Sequence, residues 1–338
     1  QHPKFNHTLE EIGRAFSQER FGGPCFINIC ASGETLLFPK ISEILEQILI
    51  QGHYVEVVTN GSLTKIFQEI IKLPSELLKR LTFKFSFHYL ELKRKNFIDV
   101  FFENINTIKN AGCSFSVEMT PTDDLEKYIE EIKTICIERL GAFCHCTIAR
   151  NDADKGITVL SKHSLEAYSK VWSGFNSEML NFKKTIFQKK RREFCYAGDW
   201  SLYINFITGV IRKCYNGSPV VGNLYSDRSI KFEAIGNCPL PHCYNGHAHI
   251  ALGVIPSLDS PTYAMIRNRK TSDGSEWLNE KMKVFMSQKL YENNKIYIRR
   301  KKVKILFSSY ISKCKSKMKR LIHTIHGRIG FLIRADKE

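Results

Sequence analysis

Four cysteines, Cys195, Cys214, Cys238 and Cys243, fall within one short stretch of the chain, and the other seven of its eleven lie elsewhere. Four thiolates are the full ligand set of a tetrahedral zinc ion or of a cubane iron–sulfur cluster. Zinc sites usually present two tight C-x-x-C pairs. Here eighteen residues separate one pair and four separate the other, which favours a cluster while leaving zinc and unliganded buried thiols open. Pro239 and Pro241, in "CPLPHC", stiffen the backbone of the closer pair. His242, His247 and His249 stand nearby as possible nitrogen ligands, although a polar loop position is the commoner role for such histidines.

A second candidate set is Ser32, Gly33 and Glu34 in "ICASGETLLFP". A glycine and a glutamate between an apolar strand and a helix start offer open backbone and a carboxylate able to bind an ammonium group. The plainer alternative is a βα turn with a solvated glutamate.

These residues must be positioned by a regular scaffold, and the hydrophobic pattern supplies one. Apolar runs predict strands over 25–30, 54–59, 83–88, 114–119 and 143–148. Amphipathic stretches predict helices over 38–52, 63–73, 98–112 and 123–141, the last with Asp123 as its cap. Strands alternating with helices imply a parallel α/β sheet, either doubly wound or closed as a barrel, with its active site at the carboxyl ends of the strands. Those ends read "CASGE", "TNGS", "SFHY", "EMTPTDD" and "ARND", polar and partly glycine-containing as a binding rim should be. After a helical segment over 163–180, residues 195–256 become rich in Gly, Asn, Pro and Cys, which predicts a small loop-rich module held together by a metal.

A chain of 338 residues accommodates one large or two smaller domains, and 43% hydrophobic with 25% charged residues excludes a disordered or collagen-like protein. No apolar run approaches the roughly 20 residues of a membrane span. The opening "QHPKFNHTLEEIGRAF" has no apolar signal-peptide core, so a reducing, cytoplasmic setting is expected. The net charge of +16 is concentrated in the C-terminal tail, because residues 295–334 contain no Asp or Glu. That basic, amphipathic tail suggests contact with an anionic membrane or another polyanion, or a solvated helix packed on the domain, and carries no specific nucleic-acid motif.

Taken together, "SGE" at 32–34, "TNG" at 59–61 and "CYAGDWSLYINFITGVIRKC" at 195–214 make residues 20–256 resemble the radical S-adenosylmethionine superfamily, and its members with a C-terminal SPASM or twitch module. The resemblance implies a partial (β/α)6 TIM-like barrel lacking its first βα unit, followed by a cysteine-rich module and a basic helical tail. The implied domains are 1–160 (barrel), 161–193 (helical linker), 194–258 (module) and 259–338 (tail). It further implies that Glu34 and the backbone near Gly33 contact the amino group of bound S-adenosylmethionine, that Ser32 replaces the family's first glycine, and that Asn60 and Ser86 reach the same cofactor. Cys195, Cys214, Cys238 and Cys243 would hold one auxiliary [4Fe–4S] cluster. A peptide or small-molecule substrate and an electron donor such as flavodoxin or ferredoxin are implied as partners.

The family's C-x3-C-x2-C loop, which binds the catalytic [4Fe–4S] cluster, is nowhere in the chain. Cys25 and Cys30 are wrongly spaced for it and are expected inside a buried strand, while Cys144 and Cys146 are expected in the core. Five predicted strands, with the "SGE" segment after the first, lead to the expectation of an N-terminally truncated piece whose catalytic cluster belongs to a full-length form. A degenerate homologue, or a non-enzymatic zinc-binding scaffold, is the other reading.

Overall fold

A computed structural model describes residues 5–154, 156–215 and 218–311. Five parallel strands form the main sheet in chain order: β1 (Phe26–Ile29), β2 (Tyr54–Thr59), β3 (Leu81–Ser86), β4 (Ser114–Met119) and β5 (His145–Cys146). Each pairs in parallel with the next. Sequential strand order with right-handed crossovers places every intervening helix on one face, which is the wall of a βα barrel rather than a doubly wound sheet. The fold is therefore α/β, an incomplete barrel.

The two faces are built from alternate residues, as strand geometry requires. Val55, Val57, Phe83, Phe85, Phe115 and Val117 turn outward and are buried under helices Ile41–Ile50, Thr64–Ile70, Ile98–Asn110 and Ile129–Leu140. Ile41, Ile44, Leu45, Ile48 and Leu49 make the buried stripe of the first of these, at the spacing the sequence suggested. The opposite face carries Glu56, Lys84, Ser116 and Glu118 and is covered by later parts of the chain, chiefly helices Glu178–Ile186 and Tyr263–Arg267. Met179, Ile250, Tyr263, Ile266, Met282 and Met286 form a second apolar cluster beneath it.

Several boundaries differ from the sequence reading. β3 starts at Leu81, two residues early, because its ladder with β2 begins there. A short helix, Tyr89–Arg94, precedes Ile98–Asn110. The stretch expected as one helix from Asp123 opens as a 3-10 turn, Asp123–Tyr128, with Thr122 and not Asp123 at the N-cap position. Asp123 instead accepts hydrogen bonds from Ser161 Oγ (2.5 Å) and the Lys162 amide (2.8 Å), so it fastens a later loop. Cys25 and Cys30 flank β1, half-buried and exposed, and do not lie within it. Cys144 and Cys146 are fully buried.

The cysteine-rich region forms two small sheets. Strands β7 (Tyr203–Ile204), β8 (Val210–Arg212) and β9 (Val220–Asn223) make one, and β6 (Phe194–Cys195) pairs antiparallel with β10 (Gly236–Asn237) in the other. Residues 299–311 are helical, and the tail expected beyond them lies outside the described residues. Among the described residues no helix is long and apolar enough to cross a membrane.

Candidate functional site

At the carboxyl end of β1, Glu34 caps the 3-10 turn Thr35–Leu37. Its Oε1 accepts from the Leu36 amide (3.0 Å) and Thr59 Oγ1 (2.7 Å), and its Oε2 accepts from the Asn60 amide (2.7 Å). Glu34 thus ties the exit of β1 to the exit of β2, and Oε2 still has room for another donor. Ser32 and Gly33 are exposed beside it, with open space where a Gly33 side chain would point. The Asn60 side chain turns to its own loop, accepting from Ser62 N (3.0 Å) and Ser62 Oγ (2.7 Å). Ser86 is half-buried at the last position of β3. The structure therefore joins Glu34 directly to the Asn60 backbone, with Ser32 and Gly33 beside it in sequence and Ser86 at the carboxyl end of β3, two strands along.

The four module cysteines are all half-buried. Cys195 lies on β6 opposite Gly236, Cys214 follows β8, Cys238 follows β10, and the Cys243 carbonyl accepts from Gly246 N (3.0 Å) at the start of helix Gly246–His249. Burial pushes the Cys195 thiol far above its ordinary range, and the field of Cys243, Cys214 and Cys238 adds to this. Burial likewise pushes Cys214 up to about 11, with a contribution from Cys238, and Cys243 up to about 12, with contributions from Cys214 and Cys238. Cys195, Cys214 and Cys243 are thus each within electrostatic reach of at least one other thiol of the set. Among the described residues, however, no three of these sulfurs lie within 4.8 Å of one another. Tetrahedral zinc with its usual Zn–S bonds would draw all four to about 3.8 Å apart.

Among the described residues, the one trio of possible ligand atoms within that distance is Asp123, Glu126 and His163. It is already satisfied: Ser161 and Lys162 occupy Asp123, His163 Nε2 meets Glu126 at 2.8 Å, and the Lys162 ammonium stands 3.5 Å from Glu126. The three histidines near the cysteines also have other partners or surroundings. His242 Nδ1 accepts from Gln188 N (3.1 Å), His247 Nε2 faces Arg267 (3.3 Å), and burial lowers His249 to about 4.

The concave face of the sheet holds a buried ionic network. Arg267 donates to Glu118 at 2.6 Å and approaches Glu56 at 3.9 Å, and Lys84 stands 3.7 Å from Glu118. Tyr263 donates to Glu56 (3.1 Å), as does Asn28. Burial opposes charge on Glu118, but Lys84, Arg267 and Lys183 outweigh it and hold the carboxyl well below its usual value. The sequence carried a signal for this network that motif reading passes over: one charge in the middle of each of three apolar strands, "VEV", "FKF" and "VEM". Next to the network, a cavity between barrel and module is lined by Arg150, Lys183, His242, Cys243, Tyr244 and His247, among others.

No protein-family model and no curated protein matches the sequence. Among solved structures, the chain is similar to Streptococcus suis SuiB, with 14% identity over 70% of this chain and 60% of that one and a TM-score of 0.47. For SuiB bound to S-adenosylmethionine the values are 14%, 71%, 61% and 0.48. For anSMEcpe with bound AdoMet they are 13%, 64%, 66% and 0.44. The chain spans about 60% of the length of the SuiB structures it resembles. At this identity and overlap the likeness gives no residue-by-residue correspondence.

Proposed function

We propose that the chain is part of a radical S-adenosylmethionine protein: an incomplete barrel whose rim binds S-adenosylmethionine, followed by a module whose four cysteines hold an auxiliary [4Fe–4S] cluster. The observation that carries this reading is that four half-buried cysteines, Cys195, Cys214, Cys238 and Cys243, are gathered in one small loop-rich module. Glu34 supports the barrel half, because a half-buried carboxylate with an acceptor position free on Oε2 suits a ligand ammonium. In such proteins the bound cofactor and clusters supply hydrogen abstraction from carbon and electron transfer. The chain's own part is to hold the cofactor's amino group at Glu34, to seat it against the exposed backbone of Ser32 and Gly33, and to present substrate at the strand ends. Since residues 1–338 contain no C-x3-C-x2-C set, this polypeptide is expected to bind S-adenosylmethionine without cleaving it. A peptide or small-molecule substrate and a flavodoxin- or ferredoxin-type electron donor belong to the same proposal.

The test is the visible spectrum of anaerobically purified protein. Broad iron–sulfur absorbance that disappears in the double variant Cys238→Ala, Cys243→Ala supports the reading. A colourless protein that folds with zinc at those cysteines supports a binding scaffold instead.

A second reading concerns where the protein works. In the helix over 299–311, Ile305 is buried against Tyr196, Ala234 and Val254 and anchors one face. On the other face Val303, Phe307 and Tyr310 are 57%, 64% and 66% exposed, with Leu306 beside them. Arg299, Arg300, Lys301 and Lys304 flank this stripe and are exposed. An apolar stripe flanked by basic residues is complementary to an anionic lipid surface, and we assign the helix that role. Flotation with phosphatidylglycerol vesicles, but not with phosphatidylcholine vesicles, is the expected result, lost in Phe307→Asp, Tyr310→Asp. Equal flotation of variant and parent would contradict it.

A further inference from the structure

The cavity between barrel and module is lined by two cations, Arg150 and Lys183, and by no carboxylate. Its charged and titratable lining residues include Arg150, Lys183, His242 and His247, and none of the lining residues is an Asp or Glu. Nearby negative charge is already matched. Glu118 and Glu56 are faced by Arg267 and Lys84, and Arg150 is chelated by Asp152 (2.6 and 3.3 Å) while donating to the Tyr244 carbonyl. Lys183 is the exception. It is half-buried, its ammonium donates to Thr147 Oγ1, and no carboxylate lies within 4.0 Å of it among the described residues. Burial lowers it to about 8 against the pull of Glu118, with Lys84, Arg150 and Arg267 adding to the lowering, as expected of a cation held among cations. The buried Nδ1 of His247 also lacks a hydrogen-bond partner. A desolvated cation that shares the field of Glu118 with Lys84 and Arg267, and has no carboxylate in contact, costs free energy that an incoming anion would recover.

We propose that this cavity is a binding site for an anionic group, a carboxylate or a phosphate, with Lys183 as its principal partner. Cys243 lies in the same wall, so an anion held here would tether its carrier beside the cysteine module. In assigning that carrier as the substrate, the proposal rests on the radical S-adenosylmethionine reading; the anion site itself does not.

The probes are inorganic phosphate and glutarate, titrated against the anaerobically purified full chain at constant ionic strength made up with chloride, with the thermal midpoint as readout. At least one of the two should raise the midpoint saturably, and which one does so identifies the anion class. Lys183→Met should weaken that response by about tenfold or more, the usual loss for a charge-assisted hydrogen bond. Lys183→Arg should keep it, and the exposed Lys65→Met should leave it unchanged. If the Met variant fails to fold, the Arg variant and the two probes still decide the matter. No response to either anion beyond chloride, or the same response in Lys183→Met as in the parent, would overturn the proposal. Iron and sulfide measured on the same samples keep the two readings separate, since anion binding without iron would retain the site and remove the cluster.

Discussion

Glu34 ties two strand exits together and, in the proposal, also receives the amino group of S-adenosylmethionine, so one substitution separates the two roles. As a strand-end clamp it accepts three hydrogen bonds from Leu36, Thr59 and Asn60. Glu34→Gln replaces one acceptor oxygen by a donor and should cost about 1–3 kcal/mol in stability. If Glu34 also takes the amino group of S-adenosylmethionine, calorimetric titration should show affinity falling by about tenfold or more. Loss of stability with unchanged affinity would leave Glu34 a clamp only. Arg267 offers a second test, because it is 2% exposed between two carboxylates. Arg267→Met strands those charges and should destabilise the fold by about 3–5 kcal/mol in denaturant unfolding. The cysteine set and Glu34 stand out in the sequence because thiols and a glycine–glutamate pair are rare in such spacing, and the structure adds the hydrogen bonds that Glu34 makes. Arg267, Lys183 and His247 do not, since nothing local says that a helix some two hundred residues after β2 will fold over Glu56.

The elements were legible to the extent that their periodicity is local. β2 and β4 begin and end where their apolar runs do, whereas β3 is displaced by its ladder with β2. The 3-10 opening at Asp123 and the helix Tyr89–Arg94 are held by contacts with segments distant in sequence, Asp123 with Ser161 in a later loop and Lys93 with Glu131 on helix Ile129–Leu140. One loop residue is fixed by geometry alone. Gly61 has φ of +74°, and a Cβ there would meet Phe101 and Phe85 at 2.7 and 2.9 Å. Gly61→Ala should therefore destabilise by at least about 1 kcal/mol, from backbone strain together with overpacking at the rim. An unchanged unfolding midpoint would show that β2 exits differently from this description.

At the scale of the molecule, barrel and module are packed together at several places. Phe5 stacks on Phe206 at 5.0 Å, His7 stacks on Tyr225 at 3.5 Å, and Arg20 donates to the Asp227 carbonyl (2.8 Å). The buried network adds an acid sensitivity to the whole. The Glu118 carboxyl is depressed in the folded state below the ordinary value of 4.5. Its contribution is thus present above that value and is lost as pH falls through the folded one. The unfolding midpoint should fall with acid below about pH 4.5, and less steeply in Glu118→Gln than in the parent.

What the four module thiols hold decides whether the module is an iron–sulfur or a zinc site. Iron, acid-labile sulfide and zinc should be quantified in the anaerobically purified chain and in Cys238→Ala, Cys243→Ala. The prediction is iron and sulfide in equal amounts, as one [4Fe–4S] cluster per chain requires, lost together in the variant. Stoichiometric zinc without sulfide would contradict it.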